Sequence, residues 1–499
     1  MTSARCITNR FVAALLTLAP AIQTAVAADT AAAPAPRERV TQFIVKIKTQ
    51  AAPQSAHTPL GDGDARTALA QRVVERVLRE NTEKLQTRSR RAADLAVEAR
   101  PMSGAAHIVT LGSPLTHDAA AALAERLAMQ PEIEYAEPDY RLHRQLTPTD
   151  PLYARQWAFR GDSIGAARFE AAWDITTGSP DVVVAVADTG YRPHPDLMAH
   201  VLPGYDFISD AFFANDGDGR DADASDPGDW VTAEESVRCD GTDLWAGNSS
   251  WHGTHVAGTI GAVANNEIGG AGGVGQARIL PVRVLGKCGG PASDIIDGMR
   301  WAAGLPVPGV PDNPHPAKIV NVSLGSAQPC SRAMQAAIDD IVAHGASVVA
   351  AAGNGGFEVG EPASCHGAIA VAAIDASGEK SAFSNSGARI DIGAPGVGIL
   401  STANAGATVP GEDTYLSLNG TSMAAPHVSA ALALMLAVKP TLSPEALREK
   451  IKSSARAYSA ASSCGNAKET AICGVGMLDA AAAVAAAGTA AKPQGETAD

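Results

Sequence analysis

The chain has 499 residues and a formal net charge of -14 at pH 7. This acidic balance argues against a nucleic-acid partner, because phosphate backbones attract basic surfaces. The length allows about two or three domains. Hydrophobic residues make up 46% of the chain and aromatic residues only 4%, which predicts a large core built mainly from small side chains.

The N-terminus has the pattern of a secretory signal peptide, which we assign to residues 1–27. Arg5 and Arg10 give a positive start, residues 11–18 are apolar, and residues 25–27 supply the small side chains of a cleavage site. The apolar run is too short to span a bilayer, and no later uninterrupted apolar run reaches about 18 residues. We therefore expect a secreted, extracellular protein without a membrane anchor, which passes through the periplasm if the cell is Gram-negative.

A small domain is expected at residues 39–145, after an Ala/Pro-rich spacer at residues 28–38. Its strands are predicted at residues 43–48, 106–111 and 133–137. Its helices are predicted at residues 64–98 and from a cap at Asp118 to about Met129. This alternation is of the βαβ type. A turn-prone segment with two prolines follows at residues 145–151.

The next part of the chain, residues 146–485, alternates strands and helices. Strands are predicted at residues 182–187, 279–285, 318–324, 347–352 and 368–374. Helices are predicted to begin near residues 252, 293, 331, 421, 443 and 477. The alternation predicts an α/β domain with a doubly wound parallel sheet and helices on both faces. Residues 486–499 form a polar tail that we expect to be trimmed.

Four short segments carry residues whose chemistry fits together. Asp188 ends an apolar strand, where open α/β sheets place their sites. His252 opens the small-residue segment HGTHVAG, Asn354 lies between two glycines, and Ser422 lies at the start of an apolar helix in GTSMAAP. Each residue alone also fits an ordinary role, as a helix cap, a turn residue or a buried histidine.

Together these residues meet the requirements of acyl transfer by a serine. Ser422 would attack the scissile carbonyl, and His252 would take its proton and later give it to the leaving amine. Asp188 would fix the imidazole tautomer and stabilise the imidazolium. The Asn354 amide and the Ser422 backbone N–H would form the oxyanion hole.

The four segments, in the order Asp188, His252, Asn354 and Ser422, resemble the motifs of the subtilisin-like serine proteases, or subtilases. The resemblance runs from about residue 153 to residue 479. It implies a subtilisin-like fold and a secreted serine endopeptidase, a hydrolase that is made as an autoprocessed preproenzyme. Polypeptides are the implied substrates, and we expect a monomer.

The resemblance also assigns a role to residues 39–145, which are similar to the inhibitory prodomain of subtilases. This implies a small α+β domain of ferredoxin-like fold that acts as the enzyme's own inhibitor, with its C-terminal tail in the active site. We place the maturation cleavage near residues 145–148. An unrelated substrate-binding domain is the alternative.

Two segments resemble the substrate-binding strands of the family. Ser323-Leu324-Gly325 would pair with an extended peptide as an added strand. Ala351-Ala352-Gly353 would form the opposite wall of the pocket for the residue before the scissile bond. Family members often carry a second glycine where this chain has Ser326, so the sequence leaves the shape of the pocket open.

Structural calcium is the implied cofactor, at two places. Asp196 and the loop 264–270 resemble the strong calcium site of the family, which takes side-chain oxygens from Asp196 and Asn266 and backbone carbonyls from Ala264, Ile268 and Gly270. The second place is an acidic loop, in which clustered carboxylates repel one another unless a cation binds. Its candidate ligands are Asp216, Asp218, Asp221, Asp226 and Asp229. A solvated acidic loop without calcium is the alternative.

The chain has 7 cysteines, of which Cys6 lies in the signal peptide. The other six predict disulfides in an exported protein, although six cysteines can pair in many ways. Sequential pairing is our expectation, and it joins Cys239 to Cys288, Cys330 to Cys365, and Cys464 to Cys473.

Other functions are also compatible with parts of this pattern. A zinc protease would need H-E-x-x-H, but Gly253 follows His252 here, so metal catalysis is disfavoured. A catalytically inactive, peptide-binding relative and an esterase on the same fold are the alternatives to an endopeptidase. A binding protein does not need all four catalytic groups, which favours the enzyme.

Overall fold

The structure is a computed structural model that describes residues 40–48, 62–84, 97–139, 147–240, 246–276, 278–466 and 472–488. The predicted signal peptide, the spacer, residues 140–146 before the junction and the end of the tail lie outside the described residues. The chain divides into two compact units, Met1–Leu142 and His143–Asp499, and each is described by itself.

The first unit is an antiparallel sheet covered by two helices. Its elements are β1 (Val40–Ile47), α1 (Asp62–Lys84), β2 (Val97–Pro101), β3 (Ala106–Leu115), α2 (His117–Ala128) and β4 (Ile133–Pro138). The strand order is β2-β3-β1-β4, which is the split βαβ arrangement of ferredoxin-like folds. Phe43, Val45 and Ile47, at every second position of β1, all point into a core with apolar residues of α1 and α2. Because side chains alternate between the two faces of a strand, this spacing decides which face of the sheet the helices cover.

Two local predictions for this unit were wrong. Residues 97 and 98 belong to β2 and not to the preceding helix, and Val97 packs into the core of this unit. The alternation of this five-residue edge strand is too short to stand out beside the charged helical segment before it. Helix α2 is capped by Thr116, whose hydroxyl accepts from the Ala119 N–H at 3.4 Å. A hydroxyl at this position competes well with a carboxylate as an N-cap.

The second unit is built on a parallel sheet of seven strands. In chain order they are β5 (Val183–Asp188), β6 (Tyr205–Asp206), β7 (Arg278–Arg283), β8 (Ile319–Val322), β9 (Ser347–Ala351), β10 (Ala368–Ile374) and β11 (Ile392–Pro395). The spatial order is β11-β10-β9-β8-β5-β7-β6, and every neighbouring pair is parallel. This is the predicted doubly wound sheet.

Helices cover both faces of this sheet. The described helices are α3 (Phe169–Trp173), α4 (Ala211–Ala214), α5 (Ala233–Asp240), α6 (His252–Gly261), α7 (Ala292–Ala302), α8 (Arg332–Ala343), α9 (Thr421–Val438), α10 (Pro444–Ser453) and α11 (Ala480–Gly488). A separate antiparallel pair joins β12 (Ile399–Asn404) to β13 (Asp413–Leu418). Sequence patterns predicted neither this pair nor the short helices α3, α4 and α5.

The continuous apolar sequence of β5 follows from these two layers. Val184 and Val186 pack into the core formed with α6 and α9, whereas Ala185 and Ala187 pack into the core formed with α7 and α8. Successive side chains point to opposite faces of a strand, and both faces are buried here.

Helix α9 is the central element of the first of these cores. Its residues from Thr421 to Leu436 are all buried. By length and composition alone it is apolar enough to cross a membrane, but the other elements of the unit enclose it. A helix that is hydrophobic on all sides is expected in the core of a large domain.

The three predicted disulfides are confirmed. The bonded pairs are Cys239–Cys288, Cys330–Cys365 and Cys464–Cys473, with Cα–Cα distances of 5.5, 5.0 and 6.0 Å. These separations lie in the usual range for disulfides.

Candidate active site

Asp188 lies where the order of the parallel sheet reverses. It is the last residue of β5, which pairs with β7 on one side and β8 on the other. The chain leaves β5 in one direction for β6 and β7, and it builds β8 to β11 in the other. Ligands of open α/β sheets bind outside the carboxyl ends of the strands at such a point.

His252 is the first residue of α6, and it meets Asp188 directly. Its Nδ1 lies 2.7 Å from Asp188 Oδ1, which also accepts from the Thr189 N–H at 2.8 Å. The Asp188 side chain is fully buried, whereas that of His252 is 22% exposed. A buried carboxylate on Nδ1 leaves Nε2 as the imidazole nitrogen for proton transfer.

The electrostatic surroundings of His252 favour its protonated form. Burial by itself lowers the pKa of His252, but the charge and hydrogen bond of Asp188 oppose this, with smaller contributions from Asp229 and Asp226. The net result is a pKa above the ordinary value of histidine. An imidazole in this environment accepts a proton readily, as a general base must.

Ser422 lies in the first turn of α9 and is 8% exposed. Pro426 follows four residues later and has no N–H, so the Ser422 carbonyl lacks its helical partner. The Ser323 hydroxyl donates to that carbonyl at 2.9 Å. In return the Ser422 hydroxyl donates to the Ser323 carbonyl at 3.0 Å, so the end of β8 and the start of α9 are joined twice.

Ser323 connects the surroundings of the two candidate groups, because it lines a cleft together with His252 and is bonded to Ser422. Within the described residues, the Ser422 hydroxyl bonds to the Ser323 carbonyl and not to His252. Catalytic hydrogen bonds in ligand-free sites are often absent and form only when substrate binds. Proton transfer therefore requires the Ser422 hydroxyl to rotate away from Ser323.

Asn354 is exposed and lies beside the start of α9. Its Oδ1 accepts from the backbone N–H and the hydroxyl of Thr421, at 2.8 and 2.9 Å. These bonds fix the orientation of the amide, because its oxygen is occupied by two donors. Its Nδ2 has no hydrogen-bond partner among the described residues, and an unpaired donor beside a nucleophile suits an oxyanion.

The cleft has a volume of about 650 Å³. His252 and Ser323 line it, and so do the residues that follow in the predicted substrate-binding segment, Leu324, Gly325 and Ser326. Neither Leu324 nor Gly325 makes a backbone hydrogen bond with the rest of the described chain, so their backbone groups are free to pair with a peptide.

The second predicted substrate-binding segment has a different environment. Ala352 is buried, and its N–H donates to the Val371 carbonyl at 3.0 Å. Gly353 has a φ of 100°, and its N–H donates to the Thr421 hydroxyl at 3.0 Å. Ala352 and Gly353 do not line this cleft. Gly353 instead shares the Thr421 hydroxyl with Asn354 as a hydrogen-bond partner.

Sequence motifs missed most of the apolar side chains that line the cleft. Leu285, Ile295 and Met334 line the cleft together with Leu324. Ile295 lies on α7 and Met334 on α8. Helix periodicity marks both as core positions, and only the tertiary structure shows that they also border a cleft.

Two of the residues that resemble a calcium site, Asp196 and Asn266, lie together. Asn266 Nδ2 is 2.7 Å from Asp196 Oδ1, and the Tyr415 hydroxyl is 3.2 Å from Asp196 Oδ2. Burial raises the pKa of Asp196 to about 6, and no described cation pairs with it. Sequence reasoning missed Asp150, whose carboxylate accepts the N–H groups of residues 265 and 266 at 2.7 and 3.0 Å.

The acidic loop is arranged differently from a shared cation site. Asp216 pairs with the buried Arg283, Asp226 accepts from Thr189 and Gly228, and Asp229 accepts twice from Ser250. The carboxylates of Asp216 and Asp221 also accept from the backbone N–H groups of Asp218 and Asp223. The described residues contain no group of three or more His, Cys, Asp or Glu that could hold a metal ion.

A family model and several known proteins match this chain. The sequence model of the subtilase family, peptidase family S8, matches residues 179–476. An extracellular protease of Xanthomonas campestris pv. campestris is 49% identical over 368 residues, which are 73% of this chain and 61% of the relative. An extracellular basic protease of Dichelobacter nodosus is 43% identical over 331 residues, 65% of this chain and 55% of the relative.

A solved structure of proteases from Pseudoalteromonas arctica PAMC 21717 is similar as well. It shares 47% sequence identity and a TM-score of 0.64 with this chain, and the match covers 68% of this chain and 99% of that one. The chain spans less than two thirds of the length of either curated relative.

The raised pKa of His252 predicts the pH dependence of activity. Protonated His252 cannot take the proton of Ser422, so kcat/KM should rise with pH, with a midpoint above the ordinary histidine value of 6.5. Initial rates on a short peptide amide across the pH range give this midpoint. Melting curves at each pH serve as the control for unfolding. A midpoint at or below 6.5 would contradict the assignment.

Proposed function

Since this chain belongs to the subtilase family, we propose that it is a serine endopeptidase. Ser422 is the nucleophile, His252 is the general base and then the general acid, and Asp188 orients and stabilises the imidazole. The observation that carries the proposal is the 2.7 Å contact between His252 Nδ1 and the buried Asp188. His252 lines the same cleft as Ser323, which is hydrogen-bonded to Ser422.

The reaction follows from these contacts. The Ser422 hydroxyl leaves the Ser323 carbonyl and gives its proton to His252 Nε2 as its oxygen attacks the scissile carbonyl. Negative charge then develops on the substrate oxygen, where Asn354 Nδ2 and the Ser422 N–H donate to it. His252 protonates the leaving amine, and water releases the acyl group by the same steps.

The substrate in this proposal is an extended polypeptide. Leu324 and Gly325 offer unpaired backbone groups along the cleft, which suits an added β-strand. Leu285, Ile295 and Met334 would receive an apolar side chain of the substrate. The relatives named as extracellular proteases support a secreted, extracellular enzyme.

Substitution of the nucleophile and of the oxyanion donor tests the mechanism. Ser422→Ala should abolish peptide hydrolysis and labelling by a fluorophosphonate. Asn354→Ala should lower kcat by about 10²–10³-fold and leave KM similar, because the lost bond forms in the transition state. Kinetics on a peptide amide and on casein provide the measurement.

Asn354→Asp keeps the acceptor for Thr421 but replaces the amide donor with a carboxylate, whose charge also opposes the oxyanion. Its kcat should therefore fall at least as far as that of Asn354→Ala, and a wild-type kcat in Asn354→Asp would show that the amide donor is not needed. Labelling of Ser422→Ala at the wild-type rate would move the nucleophile elsewhere. Cleavage of short-chain esters without cleavage of casein would favour an esterase, and a wild-type protein that binds peptides without labelling would favour an inactive relative.

We further propose that one structural calcium ion binds at Asp196 and Asn266, with the Ala264, Ile268 and Gly270 carbonyls. The donor set fits, because Asp196 is a buried carboxylate without a cationic partner among the described residues and the Asn266 amide can turn its oxygen towards the ion. Bound calcium supplies positive charge that stabilises the fold and takes no part in the chemistry. The carboxylates of Asp216, Asp221, Asp226 and Asp229 already have protein partners, and we propose no ion in the acidic loop.

Removal of calcium tests this site. Calcium binds only the folded state, so a chelator should lower the Tm of the wild-type protein. Asp196→Asn should remove most of this difference, and Asp218→Asn, an exposed position of the acidic loop, should keep it. Freshly prepared enzyme should retain most of its activity in chelator over short times. Immediate loss at low temperature would instead indicate a catalytic metal.

The ferredoxin-like unit is proposed to be an intramolecular chaperone and inhibitor. It has its own core, and its small antiparallel sheet can form before the parallel sheet, whose contacts are less local. Cleavage near residues 145–148 would release it and leave a product-like tail that inhibits.

Processing of the full chain tests this assignment. The Ser422→Ala protein should accumulate uncleaved, because the wild-type protein processes itself. Separately produced residues 39–145 should inhibit the processed enzyme, and the same segment with the buried Phe43 changed to Asp should not, because a buried charge unfolds it. Rapid folding of residues 146–499 to full activity without this segment, together with no inhibition, would contradict the proposal.

A further inference from the structure

Trp251 directly precedes His252 and has an unusual backbone conformation. Its φ is 51° and its ψ is 32°, the left-handed region that bulky side chains avoid because Cβ crowds the backbone. Its carbonyl accepts from the His255 N–H at 3.2 Å. This residue therefore begins α6, and its conformation sets the direction in which the helix carries His252.

The side chain of Trp251 keeps the backbone in this conformation. It is only 1% exposed, and its indole N–H donates to the Gly406 carbonyl at 2.7 Å. Relaxation of the backbone out of the left-handed region would pull the indole away from this carbonyl. The loss of the hydrogen bond and of the buried position opposes that change.

The acceptor belongs to the loop between β12 and β13, residues 405–412. The buried Asn404 side chain accepts from the N–H groups of Gly406 and Gly411, at 3.0 and 2.6 Å. Its amide donates to the Gly411 carbonyl at 2.9 Å. One side chain thus fixes both ends of the loop and the position of the Gly406 carbonyl.

The residues before Trp251 are fixed from two sides. The Ser249 N–H donates to the Ala407 carbonyl of the same loop at 2.8 Å. Ser250 donates its N–H and its hydroxyl to the two oxygens of Asp229, at 2.6 and 2.7 Å. The Ser250 hydroxyl in turn accepts from the His252 N–H at 3.3 Å.

We propose that Trp251 is a positioning residue for His252, acting through its bond to the loop 405–412. The proposal rests on the proposed role of His252 as the base. The loop fixes the indole, the indole fixes the left-handed turn, and the turn fixes the start of α6. Proton transfer from Ser422 then depends on a hairpin loop that contains no catalytic group.

The test measures the serine–histidine pair apart from substrate binding. The rate of labelling by a small fluorophosphonate reports proton transfer from Ser422 without using the peptide cleft. In the processed enzyme, Trp251→Phe should lower this rate and kcat about tenfold, since a displacement of about 1 Å can cost up to about 10²-fold. KM should stay within about twofold, because the cleft is unchanged.

Trp301→Phe is the matched control. Trp301 is 3% exposed, and its indole N–H donates to the Pro311 carbonyl at 2.7 Å, but it packs in the core of α7 and α8. Trp301→Phe loses the same kind of hydrogen bond, but at a position away from the turn that begins α6. Its labelling rate should therefore equal that of the wild type. An equal loss in both variants would reduce the effect to general destabilisation and overturn the proposal.

Two further comparisons keep the proposal testable if Trp251→Phe folds poorly. Trp251→Gly should label several-fold faster than Trp251→Ala, because glycine adopts a φ of 51° without crowding. The combination of Trp251→Phe with Asn404→Ala should lose no more than the more damaging single change, since both act on one contact. Equal rates for the glycine and alanine variants, or additive losses, would overturn it.

The proposed function and this inference fail in different ways. If the wild-type enzyme is not labelled, the assignment of Ser422 and His252 is wrong. If the wild type is labelled and Trp251→Phe is labelled at the same rate, only the role of Trp251 is wrong.

Discussion

The parallel pairing of β5 with both β7 and β8 is the constraint on which the rest of the structure depends. It places Asp188 and Ser323 at the carboxyl ends of adjacent strands, at the reversal of the sheet. Both faces of these strands are buried, so a shift of register would move side chains from one core into the other. The apolar packing of the sheet thereby fixes the two points to which His252 and Ser422 are bonded.

Between β8 and α9, polar side chains supply hydrogen bonds that the backbone of the helix cannot make. Pro426 leaves the Ser422 carbonyl without its helical partner, and Ser323 supplies a donor. The Asn321 Nδ2 donates to the Ser323 hydroxyl, and the Ser429 hydroxyl donates to Asn321 Oδ1, both at 2.8 Å. Buried networks of this kind are rigid only when every member has a partner.

Much of the fold could be read from the sequence because it rests on local patterns. The apolar runs predicted five of the seven strands of the parallel sheet to within a few residues but missed the short β6 and β11. The turn and helix signals placed the starts of α6 and α9. The ferredoxin-like unit and the sequential disulfides were predicted correctly as well. The short edge strand Val97–Pro101 was missed, because its five residues, two of them charged, are too few to show their alternation beside a charged helix.

The candidate site was only partly readable for a different reason. Asp188, His252, Asn354 and Ser422 stand in motifs with fixed neighbours, so their types and order suffice. Asp150 and Met334 reach their places only through contacts distant in sequence, and no local pattern marks them. The acidic loop shows the converse, because its composition suggests bound calcium, whereas the fold gives separate protein partners to the carboxylates of Asp216, Asp221, Asp226 and Asp229.

The burial of α9 links the proposed activity to the completion of folding. Ser422 lies on the first turn of a helix that is apolar on all sides, and that helix has no stable place until the core closes around it. In the proposed function, a partly folded chain would therefore lack an aligned nucleophile. The proposed activity would arise only together with the finished core, so a nascent copy of the chain would not cleave its neighbours.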